Sequence, residues 1–289
     1  MASTDFARRV AGREFDARNE IARQDLATAM AEIFTPRTKG RRQVIETKRV
    51  YRGVTVRITG PELNSTDLGV LLALEVLAAR DVSDVAPCAD REGLLPVGSQ
   101  SENNAGAYSS LSIRTTIASV AELLGRSGRD GSAGRMIRES LRYLMMVVVE
   151  GERGADWGAN HLIAAAINRG GVLTVSLNYR ATRAVIGTGQ WAAIDMVRFR
   201  NASQIERVLM HRLAAHCTGG APLPVSIDRL VEVCWTRSTK TVTEMDVRRT
   251  RIRDALPHAL PACVMANVGA NGIVSFRRIT KNTQGRADK

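Results

Sequence analysis

Apolar residues recur at helical spacing from Thr243 to Pro257, in the stretch TEMDVRRTRIRDALP. One side of this predicted helix carries Met245, Ile252 and Leu256. The opposite side carries Val247, Thr250, Arg251 and Asp254. Three further arginines make the helix basic: Arg248, Arg249 and Arg253. The helix can therefore pack by its apolar side and present a basic face outward, ending at the proline.

A second short helix is predicted immediately upstream, from Ile227 to Cys234, and the polar stretch from Thr236 to Thr241 connects the two. Two short helices with a tight polar connection, the second of them basic, are typical of a helix-turn-helix that binds DNA. The alternative is an arginine-rich surface helix that is merely solvated. The rest of the chain has to decide between the two interpretations.

The same pattern occurs earlier in the chain. A helix is predicted from Ile117 to Leu124, a glycine-rich turn follows, and a second helix runs from Ala133 to Met145. That second helix has Ile137, Leu141 and Leu144 on one face and three arginines on another: Arg135, Arg138 and Arg142. Strands are predicted next over residues 146–150, 160–167 and 172–177, although the alanines of the middle segment also suit a helix. A helix-turn-helix followed by a small antiparallel sheet is a winged helix.

The two halves share one order of predicted elements: an apolar helix, a short strand, a helix, a turn, a basic helix and a hairpin. The first apolar helix begins at Thr66 or Asp67, and the second begins at Asn201 or Ser203 after a strand over residues 191–196. The final hairpin covers residues 263–268 and 273–276. Shared order of this kind indicates an internal repeat.

The repeat also has a register, because Ile117 precedes Ile137 by as many residues as Ile227 precedes Val247. We therefore predict an α+β protein with two tandem winged-helix domains related by an internal pseudo-repeat. The first domain covers residues 43–178 and the second covers residues 179–280. A polar basic tail follows over residues 281–289.

Residues 1–42 are predicted to form an amino-terminal arm. Loosely periodic apolar residues before Pro36 indicate one amphipathic helix: Ile21, Leu26, Met30 and Ile33. A basic linker follows, with Arg37, Lys39, Arg41 and Arg42. A partly disordered arm is the alternative. After this arm, alternating residues around Tyr51–Gly53 predict a hairpin with one buried face, whereas residues 81–109 are predicted to be an irregular insertion.

The charge balance points to a partner that carries phosphate. Lysine and arginine number 41 against 29 acidic residues, which gives a formal charge of +12. Nucleic acid is the leading candidate, and an anionic membrane surface is the rival. No apolar run approaches the ~20 residues that span a bilayer, and the amino terminus lacks the apolar segment of a signal peptide. We expect a cytoplasmic protein that binds no membrane.

Residue patterns of catalysis or metal binding are absent from the sequence. The cysteines are scattered without a Cys-x-x-Cys pair, which indicates free thiols and no zinc site: Cys88, Cys217, Cys234 and Cys263. His211 and His216 are five residues apart, so they do not share a helix face as ligands would, and packing roles are expected. Glycines recur from Gly125 to Gly134 without a following Gly-Lys-Ser/Thr, which excludes a phosphate loop. We expect no enzyme activity, no cofactor and no metal.

Duplex DNA is the expected ligand, because aromatic residues, on which single-stranded bases stack, make up only 4% of the chain. Arginine binds guanine bidentately in the major groove, and further arginines and threonines bind phosphates. The candidate DNA-binding residues are Arg135, Arg138, Arg142, Thr243, Arg248, Arg249, Thr250, Arg251 and Arg253. Arg248 and Arg249 lie close to the packing face, so one of them can serve packing instead.

Several short motifs in fixed order resemble one known family. They are Thr59-Gly-Pro-Glu62, Gly189-Gln190 through Ile194 and Met196, His211-Arg-Leu213, Ser226-Ile-Asp228, and Met245 through Arg253 to Pro257. The sequence between residues 59 and 278 resembles plasmid replication initiators of the RepC kind, which are associated with IncQ-type broad-host-range plasmids. The amino-terminal arm and residues 81–109 match this family poorly.

The resemblance implies a tandem winged-helix protein that binds repeated sequences, called iterons, in the duplex DNA of a plasmid origin. It further implies opening of an adjacent AT-rich region, loading of a plasmid-encoded replicative helicase, and no hydrolysis by the initiator itself. The sequence leaves open whether the protein self-associates. By matching position, Arg248, Arg249, Arg251 and Arg253 belong to the DNA-contacting helix of the second domain, and Arg135, Arg138 and Arg142 to that of the first. The alternatives are a winged-helix transcriptional repressor that binds a single operator as a dimer, and a structural adaptor that binds protein.

Overall fold

The computed structural model describes residues 20–36, 42–51, 54–81, 111–154, 156–187, 190–218, 224–235, 241–261 and 264–278. The predicted tail, nearly all of the predicted insertion, and the linker residues Arg37, Lys39 and Arg41 lie outside these residues, as do Cys88 and Cys263. The described chain mixes helices with small sheets, most of them antiparallel, which confirms the prediction of a mixed helix and strand protein. The predicted domain boundaries stay a prediction.

Residues 20–36, here called the amino-terminal segment, form strand β1 (Ile21–Asp25), helix α1 (Leu26–Met30) and the short strand β2 (Phe34–Thr35). Strand β1 pairs antiparallel with β11 (Trp191–Asp195), so the prediction of one amphipathic helix is wrong at Ile21–Asp25. Four successive residues of β1, from 22 to 25, are buried, because the pairing brings them inside the molecule. Residues 1–19 lie outside the described residues, so the alternative of a partly disordered arm stays a prediction.

The predicted hairpin is confirmed as β3 (Val44–Tyr51) and β4 (Val54–Pro61). Two later strands, β7 (Val148–Arg153) and β8 (Asp156–His161), extend it to a four-stranded antiparallel sheet in the order β3-β4-β7-β8. The two-residue strand β5 (Leu63–Asn64) pairs in parallel with β2. This pairing anchors the end of the amino-terminal segment beside the start of the next helix.

Helix α2 (Ser65–Asp81) is the central element of the core. Residues 70–76 are all fully buried, and they cover every side of the helix, which marks a helix enclosed by other elements. The predicted start at Thr66 or Asp67 is slightly late, because the Asn64 side chain accepts hydrogen bonds from both of their amides, at 2.8 and 3.1 Å. Asp67 in turn accepts from the Asn64 amide at 2.8 Å, so the two side chains cap the helix reciprocally.

A first unit follows α2 and consists of β6 (Ser112–Thr115), α3 (Ile117–Leu123), α4 (Gly131–Met145), β9 (Ile163–Arg169) and β10 (Val172–Leu177). Its sheet has the order β6-β10-β9. The single strand predicted over residues 160–167 is divided between β8 and β9. Helix α5 (Tyr179–Ile186), strand β11 and the unpredicted short helix α6 (Met196–Asn201) connect this unit to the rest.

A second unit repeats the arrangement. Helix α7 (Gln204–Thr218) precedes β12 (Val225–Ser226), α8 (Ile227–Cys234), α9 (Val242–Ala259), β13 (Val264–Val268) and β14 (Ile273–Arg278). Its sheet has the order β12-β14-β13, so in both units the first strand pairs with the last. The two units therefore have the same topology, and the four-stranded sheet is an addition to the first.

Salt bridges attach the amino-terminal segment to the second unit and to the connecting helix α5. Glu32 binds Arg212 of α7 at 3.1 Å and also binds Arg229 of α8, while Arg212 donates to the Ala29 carbonyl at 3.0 Å. On the other side, Asp25 accepts two hydrogen bonds from Arg180 of α5, at 3.0 and 3.1 Å. These residues make the segment an internal connector rather than an arm.

One buried ion pair joins α2 to the first unit. Arg42 binds the fully buried carboxylate of Asp67, and its guanidinium lies 3.5 Å from the ring centroid of Tyr143 on α4. It also donates to the Glu62 carbonyl at 3.1 Å. Arg42, predicted to belong to a basic linker, is therefore a structural residue.

We expect Arg42→Ala to lower the free energy of unfolding by about 3–5 kcal/mol, because it leaves the buried Asp67 carboxylate without its cation. The measurement is the denaturant midpoint with its slope. The control is Arg57→Ala, since the ion pairs of Arg57 with Glu46 and Glu150 are solvent-exposed and contribute about 1 kcal/mol or less. Equal losses in the two variants would show that the Arg42 pair contributes no more than a surface contact.

The His211 imidazole is buried in α7 and packs edge-on against Phe34, with ring centroids 5.1 Å apart. Burial and the neighbouring Arg212 lower the pKa of His211 from 6.5 to about 3. The unfolded chain therefore binds a proton between these two pH values that the folded chain does not bind. The stability that depends on neutral His211 is complete above pH 6.5 and falls as the pH is lowered.

We expect the unfolding free energy to drop between pH 7 and pH 5 by about 2 kcal/mol more in the natural protein than in His211→Phe, which has no proton to bind. Denaturant titrations of both proteins at the two pH values measure this difference. The same pH dependence in both proteins would show that His211 is not the responsible group.

Candidate nucleic-acid interface

Helix α9 packs by one side, as its sequence predicted. Ile252 is fully buried and Ala255, Leu256 and Ala259 are buried with it, whereas Val247, Thr250 and Arg251 are exposed. The Thr241 hydroxyl caps the start by accepting from the Glu244 amide at 3.2 Å. The predicted end at Pro257 is wrong, because the helix continues to Ala259. Pro257 lies on the exposed side, where solvent can replace the hydrogen bond that a proline cannot donate.

The first half of α9 is held by ion pairs in addition to the partly buried Met245, which packs against the core. Arg249 donates from Nε and Nη2 to the two Asp228 carboxylate oxygens at 2.6 and 2.9 Å, and from Nη1 to Asp246 at 2.9 Å. This bidentate contact lowers the pKa of Asp228 and raises the pKa of Arg249. Arg249 thereby fixes α9 against the first turn of α8.

Arg248 is also engaged within the protein. It donates to Glu244 at 2.6 Å, and its guanidinium lies 5.3 Å from the Trp235 ring centroid. The sequence left one of Arg248 and Arg249 as a packing residue, and the structure gives both of them intramolecular partners.

The other predicted residues of α9 face solvent. Thr243, Thr250, Arg251 and Arg253 are all exposed, and the Thr250 hydroxyl donates to the Asp246 carbonyl at 3.0 Å. Within the described ranges, neither Arg251 nor Arg253 forms an ion pair, although Arg253 lies close enough to contribute to the low pKa of Asp228. These two guanidinium groups are therefore accessible to a polyanion.

Helix α4 presents a corresponding basic face. Its N-cap Asp130 accepts from the Ser132 amide at 2.8 Å and from the Ser132 hydroxyl at 2.9 Å, and these bonds lower the pKa of Asp130. Ala133, Ile137, Leu141 and Leu144 are buried. The three predicted arginines are exposed on the opposite side: Arg135, Arg138 and Arg142. Glu139 lies among them and is the one acidic residue of that stripe.

The predicted register between the two halves is wrong in the basic helices. Ile117 and Ile227 do begin equivalent helices, but Ile137 is fully buried whereas Val247 is 45% exposed. Burial follows the same spacing at Ile137, Ser140, Leu141 and Leu144 as at Ile252, Ala255, Leu256 and Ala259. Burial therefore pairs Ile137 with Ile252 and Arg138 with Arg253. The core contacts of α9 lie further along the helix, which leaves its first half projecting.

Sequence reasoning missed several residues of this surface. Val242 is 77% exposed at the start of α9, beside Thr243, and aliphatic side chains of this kind contact thymine methyl groups in DNA complexes. The hairpins beside the two basic helices carry exposed Arg169 and Arg277. Val242 precedes the predicted start of the helix at Thr243, so the sequence pattern did not include it.

The described residues contain no group of three His, Cys, Asp or Glu side chains that could hold a metal ion. Cys217 and Cys234 are free and buried, as predicted, and burial raises the pKa of Cys234 to about 12. His216 packs against Phe276 with ring centroids 5.3 Å apart. Among the described helices, none combines the length and the apolar character needed to cross a bilayer.

The solved structures that are similar to this chain include two of domains 2 and 3 of RctB. The first, a selenomethionine derivative, aligns with a TM-score of 0.53 at 10% identity over 89% of this chain and 99% of that chain. The second, RctB residues 155–483, aligns with a TM-score of 0.51 at 10% identity over 90% of this chain and 98% of that chain. At this identity the likeness concerns the fold. No curated protein sequence matches the chain.

The sequence profile of the replication protein C family matches residues 33–270, which include α2, the first unit, the second unit up to β13, and both basic helices. The match begins within the amino-terminal segment and ends in the turn between β13 and β14, so it covers well over half of the protein. The chain therefore belongs to the replication protein C (RepC) family.

Proposed function

We propose that the protein is a plasmid replication initiator whose two units are tandem winged helices that bind iterons in the duplex DNA of the origin. The observation that carries this proposal is the repeated unit, in which a strand, two helices and a hairpin recur with the same strand order. In both units the second helix buries one side and exposes arginines on the other. A replication protein with two such helices can contact one DNA molecule through two basic surfaces.

Helix α9 contacts bases and α4 contacts a neighbouring stretch of the same duplex. The projecting first half of α9 enters the major groove, since the amino-terminal residues of such a helix reach the base edges. Arg251 and Arg253, on the turn that follows this half, supply specific and phosphate contacts, and Arg135, Arg138 and Arg142 supply those of the first unit. Because both units bind together, affinity exceeds that of either one through effective concentration.

Opening of the origin follows from bending rather than from hydrolysis. Several initiators on adjacent iterons bend the DNA at an elastic cost on the order of a few kcal/mol per site, which favours opening of a neighbouring AT-rich segment. A plasmid-encoded helicase is then loaded on the opened strands, and initiators on adjacent iterons associate with one another. The protein acts in the cytoplasm without cofactor or metal.

The direct test is footprinting of the full chain on supercoiled DNA from beside its gene, followed by permanganate. We expect several evenly spaced protections and permanganate-reactive thymines in an adjacent AT-rich tract. A single palindromic protection would instead support a repressor, and no protection would support an adaptor that binds protein. Protections without reactive thymines would retain iteron binding and reject melting.

A second test separates base recognition from bulk charge. We expect Arg251→Ala to cost about 1–3 kcal/mol of binding free energy on the protected site and much less on random duplex. Arg57→Ala, which removes one exposed cation from the four-stranded sheet, should leave the ratio of specific to random binding unchanged. Titration of both DNAs at two salt concentrations measures this ratio. Equal losses on both DNAs would mean that α9 contributes charge alone.

A further inference from the structure

We infer that helix α6 fixes the spacing and rotation between α4 and α9, so that the protein binds its two stretches of DNA only at one set separation. Arg198 is the positioning residue for α9, and Phe199 and Arg200 position the helix against the first unit. This inference rests on the proposed binding of duplex DNA by both units. It adds a constraint on the target that two flexibly linked units would not impose.

The contact with α9 is made at the end of that helix. The Arg198 guanidinium donates from Nη2 to the His258 carbonyl at 3.0 Å. The last carbonyls of a helix have no partners inside it, and they carry the negative end of the helix dipole. A cation there both satisfies a carbonyl and holds the axis of α9 relative to α6.

The next two residues of α6 contact α2 and the first unit. Phe199 is fully buried, and its ring lies 3.2 Å from the position that a Cβ on Gly69 of α2 would take. The Arg200 stem lies 3.4–3.7 Å from the corresponding position on Gly125, in the turn between α3 and α4. Gly125 has a φ of 71°, so glycine suits both its conformation and this approach. Helix α6 thus lies against the turn from which α4 begins.

Helix α6 is itself held at both ends, which a six-residue helix requires because short helices are marginal alone. Asp195 caps its start by accepting from the amides of Val197 and Arg198, at 2.9 and 3.1 Å. At its end, Arg207 of α7 donates to the carbonyls of Phe199 and Arg200, at 3.0 and 2.7 Å. Arg200 also binds Glu20 beside β1 at 2.7 Å. The connection between the units is therefore braced by side chains from three elements.

A rigid connection between the two units makes binding depend on the distance between the two stretches of DNA. Each inserted base pair moves the second site by roughly 3.4 Å and rotates it by about 35°, given ~10–10.5 base pairs per turn. A flexible linker absorbs such changes with little loss of effective concentration, whereas a braced connection does not. Dependence of affinity on spacing is thus the property that distinguishes a braced connection from a flexible one.

The experiment uses the full chain and a duplex selected by it from random DNA, with both protected stretches mapped by footprinting. Duplexes with one, two or five base pairs inserted between the stretches are then titrated. For the natural protein we expect at least a tenfold loss with two or five inserted base pairs, since simultaneous binding of linked sites contributes about 10²-fold or more. Arg198→Ala should lose less than threefold on the same insertions.

Three further comparisons make the result specific. Arg198→Lys keeps a donor for the His258 carbonyl and should restore the spacing dependence, while Arg57→Ala should not change it. On a duplex with one stretch only, Arg198→Ala should match the natural protein. The circular dichroism spectrum of Arg198→Ala should match that of the natural protein, so that a changed preference between spacings reports on the connection and not on loss of structure.

Equal binding of all spacings by the natural protein would overturn the inference and leave the proposed function intact. Unchanged spacing dependence in Arg198→Ala would overturn the role of Arg198. If no duplex is selected from random DNA, the proposed function fails and the inference fails with it.

Discussion

Enclosure of helix α2 is the constraint on which the rest of the structure depends. Its buried residues are mostly apolar and lie on every side of the helix, so exposing one of them to water would raise the free energy of the folded protein. Even Glu75 in its middle is buried, and burial together with the nearby Asp25 raises the pKa of that carboxyl well above its usual value. Neither unit alone surrounds such a helix. Strand β1, helix α5 and helix α7 complete the enclosure, and the core is one cluster through both units.

This shared core changes what the many arginines do. Arg42, Arg198, Arg212 and Arg249 bind carboxylates or carbonyls inside the protein and position its elements. The arginines on the outer faces of α4 and α9 remain for a ligand. Net charge alone cannot distinguish these two groups. The first half of α9 lies outside the main core, and polar contacts of Arg248 and Arg249 supply much of its support.

The sequence predicted the elements whose signals are local: the β3–β4 hairpin, α2, the helix pairs α3–α4 and α8–α9, and the mixed fold. The sequence prediction failed where contacts with distant segments of the chain determine the local structure. Residues 21–25 have helix-compatible spacing and become a strand because β11 pairs with them. Nothing in the sequence around Arg42 distinguishes it from the exposed arginines of a linker. Helix α6 is too short for a helical pattern of apolar residues to be recognised. The alignment of α9 with α4 was wrong because it assumed equal spacing from the preceding helix, whereas the buried residues of α9 lie five positions further along.

The pairing of β1 with β11 can form only late in the synthesis of the protein, because the two strands are far apart in the chain. Translation at about 5–20 residues per second separates these two strands by on the order of ten seconds or more. During that interval one of the elements that enclose α2 is not yet in place, so leucines of α2 that the folded protein buries are exposed to solvent. Such long-range closure raises contact order and slows folding. The amino-terminal segment therefore cannot reach its final arrangement before β11 has emerged, and the two units share one core instead of folding on separate ones.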